Sequence, residues 1–157
     1  MAAFVVTDSL KAMIGRAEDP VVQKVEEGAI QRYARSVDDP NPLYNDVEYA
    51  TRSEWGRLMA PPGFSGWPVK AKGFDMFKLF EKLQKAGAPM GLLDGGVDFE
   101  FLSPVGAGDM LISVTRVANI EGRETKMGPT MVTTVETTFI NERGAVALIM
   151  RNTLLHF

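Results

Sequence analysis

The chain has 157 residues, no cysteine and a single histidine, and its 17 basic and 20 acidic residues give a formal net charge of −3. These counts exclude a disulfide framework, a cysteine-ligated metal and a cysteine nucleophile, and the scattered basic residues argue against nucleic acid as a partner. The length fits one domain over residues 1–157. Because no apolar run is long enough for a membrane span and the first residues lack a signal-peptide pattern, we expect a cytoplasmic protein with no membrane partner.

The first half of the chain carries helix signals. Thr7 or Asp8 is placed to cap a short helix that Gly15 would end, and Val21–Val25 is a short β-rich run. Apolar residues at positions 30, 33, 34 and 37 have helical spacing. The prolines at positions 40 and 42 end that helix, because the residue before a proline avoids the α region. A second helix with the same spacing is predicted over Asp75–Lys85.

The second half carries strand signals. Val97, Phe99 and Phe101 alternate with acidic residues, which predicts a half-buried strand. Turn clusters, among them Glu121–Arg123, separate the β-rich runs that follow and predict an antiparallel meander. Helices gathered before a sheet indicate the α+β class, and we expect the sheet to wrap around one long helix and to dimerise through its free edge. The three β-rich runs are residues 111–117, 131–139 and 145–155.

The densest polar cluster of the chain is Asp39–Asp46, which contains two prolines. In a purely local interpretation it is a turn, in which Asp39 or Asn41 accepts hydrogen bonds from nearby backbone N–H groups and Asn45 or Asp46 caps the next helical turn. A functional interpretation needs a reaction that uses a carboxylate, an amide and a phenol together. Addition of water to an α,β-unsaturated thioester is one, since it needs a base, an acid and donors for the thioester oxygen. Both interpretations stay open from these residues alone.

Four segments together resemble the N-terminal branch of the MaoC-like dehydratases. That family has the hot-dog fold and includes (R)-specific enoyl-CoA hydratases and hydroxyacyl-thioester dehydratases. The resemblance therefore implies a single α+β hot-dog domain, an antiparallel sheet around a central helix, that dimerises. The four segments are Gly28–Asp46, Leu58–Phe64, Gly95–Phe101 and Arg151–Leu154.

The hydratase signature of that family is Asp-x-Asn-Pro-x-His-x-Asp, and this chain departs from it at one position. Asp39 and Asn41 match, whereas Tyr44 stands where the signature has histidine. The resemblance makes these three residues the candidate catalytic positions. Tyrosine is a poor base at neutral pH because its reference pKa is about 10. We expect His156 to lie at a frayed, solvated chain end, where it cannot replace the missing histidine.

The resemblance also implies where a substrate binds. In the family, backbone N–H groups of the turn into the central helix face the thioester carbonyl, which makes Gly63 and Phe64 candidate donors, with Pro62 beside them. Trp67 is a candidate tunnel residue for the acyl chain. Aromatic and methionine residues around the helix either line that tunnel or belong to the core; they are Phe74, Met76, Phe77, Phe80 and Met90.

Three functions remain open at this stage. The resemblance favours a substrate-binding subunit of an enoyl-CoA or acyl-carrier-protein hydratase or dehydratase, whose catalytic Asp/His pair comes from a partner MaoC-like subunit. A self-sufficient homodimeric hydratase or thioesterase would use Asp39 and Tyr44 instead. The third is a non-catalytic module that binds acyl thioesters. In each case the ligand is an acyl thioester, and we expect no cofactor and no metal.

Overall fold

The architecture was obtained as a computed structural model, which describes residues 3–64 and 75–157 together with the backbone of Trp67–Pro68. Helices dominate before residue 90 and long strands after it, as the sequence predicts. None of the helices in these ranges is long and apolar enough to cross a membrane. The helices are α1 (Asp8–Lys11), α2 (Glu27–Ser36), α3 (Pro42–Asn45), α4 (Val47–Arg52) and α5 (Met76–Lys85). The strands are β1 (Val21–Lys24), β2 (Trp67–Pro68), β3 (Leu92–Phe101), β4 (Met110–Thr125), β5 (Gly128–Ile140) and β6 (Val146–His156).

The described strands form one antiparallel sheet in the order β2-β1-β4-β5-β6-β3. Strands β4, β5 and β6 are the predicted meander. Strand β3 does not join it in chain order: it passes β4 and pairs with β6, with Val97 opposite Asn152. This placement leaves β3 as an outer edge strand of the sheet.

One face of the sheet is buried by two helices. Helix α2 contributes Ile30 to a hydrophobic cluster with Leu111 and Phe139, and helix α5 contributes Leu79 and Leu83 to a second cluster farther along the sheet. All these side chains are almost fully buried. A buried leucine or isoleucine stabilises the fold by about 1.5–3 kcal/mol relative to an exposed one. The expected α+β arrangement, with an antiparallel sheet packed on a helix, is therefore confirmed.

A charged ladder crosses four strands on the opposite face of the sheet. The Glu136 carboxylate accepts hydrogen bonds from Arg116 of β4 (2.7 Å) and Arg151 of β6 (2.8 Å), and Arg151 also donates to Glu100 of β3 (3.0 Å). Burial raises the pKa of Glu136, but the hydrogen bonds and charges of Arg116 and Arg151 together lower it by more. The net pKa of Glu136 therefore lies below its ordinary value. The ladder ties the edge strand β3 to the meander.

The exposure of β3 differs from the prediction. A half-buried strand was expected, yet Val97 is 44% exposed and Phe101 is 53% exposed, and the strand has no fully buried residue. Alternation predicts that one face of β3 packs against the core, but among the described residues only Phe99 of this strand does so. We call the result the β3 edge surface; it comprises Leu92, Leu93, Val97, Phe101 and the adjoining Leu102, all exposed.

The prediction of a turn at Glu121–Arg123 is also wrong. These residues continue strand β4, and the chain reverses only between Thr125 and Gly128. Gly122 serves a different purpose, because the backbone of Phe4 passes so close that a Cβ at position 122 would overlap its carbonyl. The glycine therefore lets the N-terminal segment lie across the strand.

His156 corrects a third expectation, because it is 2% exposed rather than at a frayed end. In the last strand it stands opposite Met131 and Leu92, and its ring meets Phe80 edge-on at 6.5 Å. Burial lowers the pKa of His156 below its ordinary value of 6.5, and a hydrogen bond with the Pro89 carbonyl offsets only part of this. Its Nε2 atom is buried with no hydrogen-bond partner in the described part of the chain.

The buried imidazole makes stability depend on pH. The folded state holds His156 neutral, whereas the unfolded chain takes up a proton below about pH 6.5. The free energy of unfolding should therefore fall as the pH is lowered from 7 to 5, and His156→Asn should flatten that slope. Urea denaturation at several pH values measures the free energy of unfolding of each protein and hence its slope with pH. Equal slopes for both proteins would contradict the prediction, whatever the absolute stability of the variant.

Candidate functional site

Helix α2 ends in a Schellman motif that fixes Asp39. Asp38 has a φ of +55°, its N–H donates to the Arg35 carbonyl (3.2 Å), and the N–H of Asp39 donates to the Ala34 carbonyl (2.9 Å). Glycine is the usual residue at the left-handed position of this motif, and aspartate tolerates it better than most. The main chain of Asp39 is thereby anchored to Ala34, the buried residue in the last turn of α2.

The carboxylate and amide side chains of this cluster make hydrogen bonds to the local backbone. Asp39 Oδ1 accepts the N–H of Asn41 (3.0 Å), and Asn41 Oδ1 accepts the N–H of Leu43 at the start of α3 (3.0 Å). Asn45 donates to the Asp39 carbonyl (2.8 Å), and Asp46 caps α4. The local interpretation of the cluster is thus realised. Within the described residues, Asp39 Oδ2 and the amide nitrogen of Asn41 have no hydrogen-bond partner.

Tyr44 lies beside Asp39 in this cluster and keeps its proton. Partial burial, and then the negative charge of Asp39, raise the pKa of Tyr44 above its ordinary value of 10.0. Both effects disfavour the phenolate. At neutral pH the Tyr44 side chain is therefore a hydrogen-bond donor, and it cannot accept a proton from water as a histidine would.

An apolar cavity of about 410 Å³ opens next to Tyr44, within the size range of small-molecule sites. Tyr44 shares it with two other predicted site residues, Pro62 and Phe64. Asp39 and Asn41 are not among the residues that line it. The remaining wall comes partly from the end of the edge strand; its residues there are Phe101, Leu102, Ser103, Pro104 and Val105.

The Pro61–Phe64 segment forms a tight turn at this cavity. Its first residue, Pro61, accepts a hydrogen bond from the N–H of Phe64 (3.0 Å), and Gly63 has a φ of +89°. Proline at the second position and a positive-φ glycine at the third are typical of a type II turn. The Phe64 amide is therefore occupied. Within residues 3–64 and 75–157, no acceptor engages the Gly63 amide, so Gly63 is the better candidate donor.

The segment behind this turn differs from the family arrangement used above. Trp67–Pro68 is strand β2, so the helix does not begin directly after Phe64. Helix α5 begins at Met76, and the Asp75 carboxylate caps it by accepting a hydrogen bond from the Phe77 N–H (3.0 Å). The Trp67 side chain and the whole of Phe74 lie outside the described residues. Two other candidate tunnel residues are exposed in the described structure and do not line this cavity: Phe77 is 79% exposed and Met90 is 77% exposed.

Sequence reasoning missed Tyr33, which belongs to α2. Its ring packs against Phe64 with centroids 5.3 Å apart, and its hydroxyl oxygen is 2.5 Å from the position that a Cβ on Gly63 would occupy. In the sequence, Tyr33 is one of several apolar residues at helical spacing, and this pattern indicates only a core position. The contact joins segments thirty residues apart, which no local pattern reveals.

The fold and this site define a class: an antiparallel sheet on a helix, with an apolar cavity lined by the Tyr44 phenol. The Asp39 carboxylate stands beside that phenol, and the Gly63 amide, which has no acceptor among the described residues, lies in the turn at the cavity. A family model of the FAS1-like dehydratase domain region matches residues 12–150. The chain therefore belongs to that family, within the MaoC-like hot-dog dehydratases.

Relatives and solved structures agree with this assignment. The chain is 28% identical over 113 residues to a UPF0336 protein of Streptomyces avermitilis, which covers 71% of this chain and 73% of that one. The ChsH1-ChsH2 complex of Mycobacterium tuberculosis matches with a TM-score of 0.75 at 16% identity, over 97% of this chain and 95% of that one. The HadBC 3R-hydroxyacyl-ACP dehydratase complex of the same organism matches with a TM-score of 0.67 at 19% identity, over 96% and 99%. These likenesses confirm the hot-dog fold.

The Gly63–Tyr33 contact can be tested by stability. Gly63→Ala should destabilise the protein by about 1–3 kcal/mol through its positive φ alone, with an added penalty from the Tyr33 hydroxyl. Gly15→Ala is the matched control, because Gly15 has a φ of +82° and nothing lies within 4 Å of its Cβ position. Urea denaturation should show a larger loss for Gly63→Ala, partly recovered in the double variant with Tyr33→Phe. Equal losses at both glycines would contradict the contact.

Proposed function

We propose that this chain is the acyl-thioester-binding subunit of an enoyl-thioester hydratase or dehydratase, and that a partner hot-dog subunit supplies the acid–base pair. The observation that carries the proposal is Tyr44. It occupies the histidine position of the hydratase signature, and burial together with Asp39 holds its pKa above the ordinary value. A site built this way can bind and orient a thioester but lacks a base for water.

The reaction itself defines what is missing. In hydration of a trans-2-enoyl thioester, a base removes a proton from water, the water oxygen bonds to C3, and an acid delivers a proton to C2. The thioester oxygen gains negative charge meanwhile and needs donors. This chain offers an apolar cavity for the acyl chain, with Gly63 as a donor beside it. Such acid–base chemistry needs neither cofactor nor metal, and we place it in the cytoplasm.

The β3 edge surface is the proposed contact with the partner. It is the outer strand of the described sheet, so the outward backbone groups of its ten residues have no strand partner among the described residues, and it carries exposed apolar side chains on both faces. This combination favours strand pairing with another chain. Phe101 and Leu102 belong both to this surface and to the cavity wall, so a partner bound there would border the acyl site. The HadBC and ChsH1-ChsH2 structures are complexes, which supports a partner of the same fold.

A polar groove next to the apolar cavity offers room for the rest of the substrate. The two share Trp55, Met59, Ser103 and Pro104 in their walls. In the groove Arg57 and Asp109 form a two-pronged ion pair (3.0 Å between Nη2 and Oδ2). Its mixed charge suits the amide-rich pantetheine arm, which coenzyme A and acyl carrier protein have in common, better than a cluster of phosphates.

The missing base predicts the activity of the chain and of one variant. Purified alone, the protein should not hydrate a short trans-2-enoyl-CoA, and adding the hot-dog subunit that co-purifies from its host should give turnover. Tyr44→His should raise the hydration rate of the chain alone by about 100-fold or more, because a positioned base typically contributes this much. Tyr49→His, on the exposed side of α4, is the control and should change nothing.

Other outcomes of that assay favour the alternatives. Turnover by the wild-type chain alone that disappears in Asp39→Asn would replace the proposal with a self-sufficient homodimeric hydratase or thioesterase. Acyl-CoA binding without turnover under any of these conditions would identify a non-catalytic binding module.

The partner surface has its own test. Val97→Lys should raise the dissociation constant of the complex by about tenfold or more, because it places a charge in the apolar edge. The complex is the homodimer or the complex with the co-purified subunit, whichever the wild-type chain forms. Val22→Lys is the matched control: it is also a strand valine, 48% exposed, but β1 is already flanked by β2 and β4. Analytical ultracentrifugation measures both. Equal effects of the two substitutions would remove β3 as the interface.

A further inference from the structure

We infer that the Tyr33 hydroxyl is a second donor, beside the Gly63 amide, to the substrate's thioester oxygen. The inference rests on the proposed function, since it assigns a residue to the carbonyl end of the same acyl-thioester site. It replaces the Phe64 amide, whose N–H is already bonded to Pro61 at 3.0 Å.

The distance between the two donors fits a shared acceptor. The Tyr33 oxygen is 2.5 Å from the Cβ position of Gly63. Because that Cβ and the amide nitrogen are both bonded to the same Cα, the two donor atoms lie within about 5 Å of each other. One oxygen that accepts two hydrogen bonds of about 2.9 Å holds its donors roughly 4–5 Å apart. A carbonyl oxygen can therefore accept from both groups at once.

Both donors are available. In the part of the chain that the structure describes, no hydrogen bond engages the Tyr33 hydroxyl, and it is not among the fully buried unpartnered atoms. The Gly63 amide likewise has no acceptor within those residues. A phenol hydroxyl and a backbone N–H are both good donors to oxygen. Glycine at position 63 is what leaves space for the phenol, since any side chain would collide with it.

The arrangement is also held in place before a ligand arrives. Tyr33 lies one turn before the end of α2, where the Schellman motif fixes the helix, and its ring packs against Phe64 of the same turn. Gly63 is fixed by the turn itself. Donors that need no reorganisation stabilise the negative charge that develops on an oxygen more than they stabilise the neutral carbonyl. The pair would therefore favour the enolate-like state of the thioester over its ground state.

Binding of two matched ligands tests the assignment. Hexanoyl-CoA carries the thioester carbonyl, whereas S-hexyl-CoA has the same chain and coenzyme without it. With the chain as purified, together with any co-purified subunit, Tyr33→Phe should bind hexanoyl-CoA about two- to tenfold more weakly and S-hexyl-CoA unchanged. Tyr49→Phe removes the same group from an exposed position and should leave both affinities unchanged. Isothermal titration calorimetry gives all of them.

Infrared spectroscopy gives a readout that a merely structural role would not move. The carbonyl stretch of ¹³C-labelled hexanoyl-CoA should shift to lower frequency on binding, and Tyr33→Phe should return part of that shift. Equal hexanoyl-CoA affinity and equal stretch in both proteins would overturn the inference and leave the proposed function standing. A loss in Tyr44→Phe with none in Tyr33→Phe would do the same. No binding of hexanoyl-CoA by any preparation would overturn both.

Discussion

The packing of α2 and α5 against one face of the meander is the interaction from which the rest of the structure follows. Ile30, Leu79 and Leu83 are almost fully buried there, and they pack mainly on β4, β5 and β6, while Phe99 is the β3 residue that packs against this core. The end of α2 is consequently fixed against the Pro61–Phe64 turn, which positions the site. Among the described residues, the other apolar side chains of β3 remain exposed.

Two residues with unusual backbone conformations position the side chains of the site. Asp38 and Gly63 both have positive φ angles, one ending α2 and the other shaping the turn, and each conformation is maintained only because its neighbours are anchored. Between them, they bring the Tyr44 phenol, the Tyr33 hydroxyl and an amide with no acceptor among the described residues to the region of one apolar cavity, with the Asp39 carboxylate beside Tyr44. Under the proposed function, this arrangement holds and polarises a thioester, and the base that hydrates it comes from a partner.

The sequence predicts the elements better than their surroundings. Periodicity locates α2, α5 and the long strands, because spacing records which residues share a face. It does not record what covers that face, which is why Val97 was expected to be half-buried and His156 solvated. Gly122 was assigned to a turn because a close approach by the distant Phe4 leaves no local signal. For the site, Tyr44 follows from the motif, but Tyr33 becomes visible only when α2 and the turn are brought together.

The open edge of β3 has a consequence for how the protein must be made. A ten-residue strand whose outward backbone groups have no strand partner among the described residues, and which exposes valine, leucine and phenylalanine, is a template for uncontrolled pairing between identical chains. If a partner subunit covers that edge, as proposed, the chain made in excess of its partner would be prone to aggregate. Balanced supply of the two subunits is then a physical consequence of the fold.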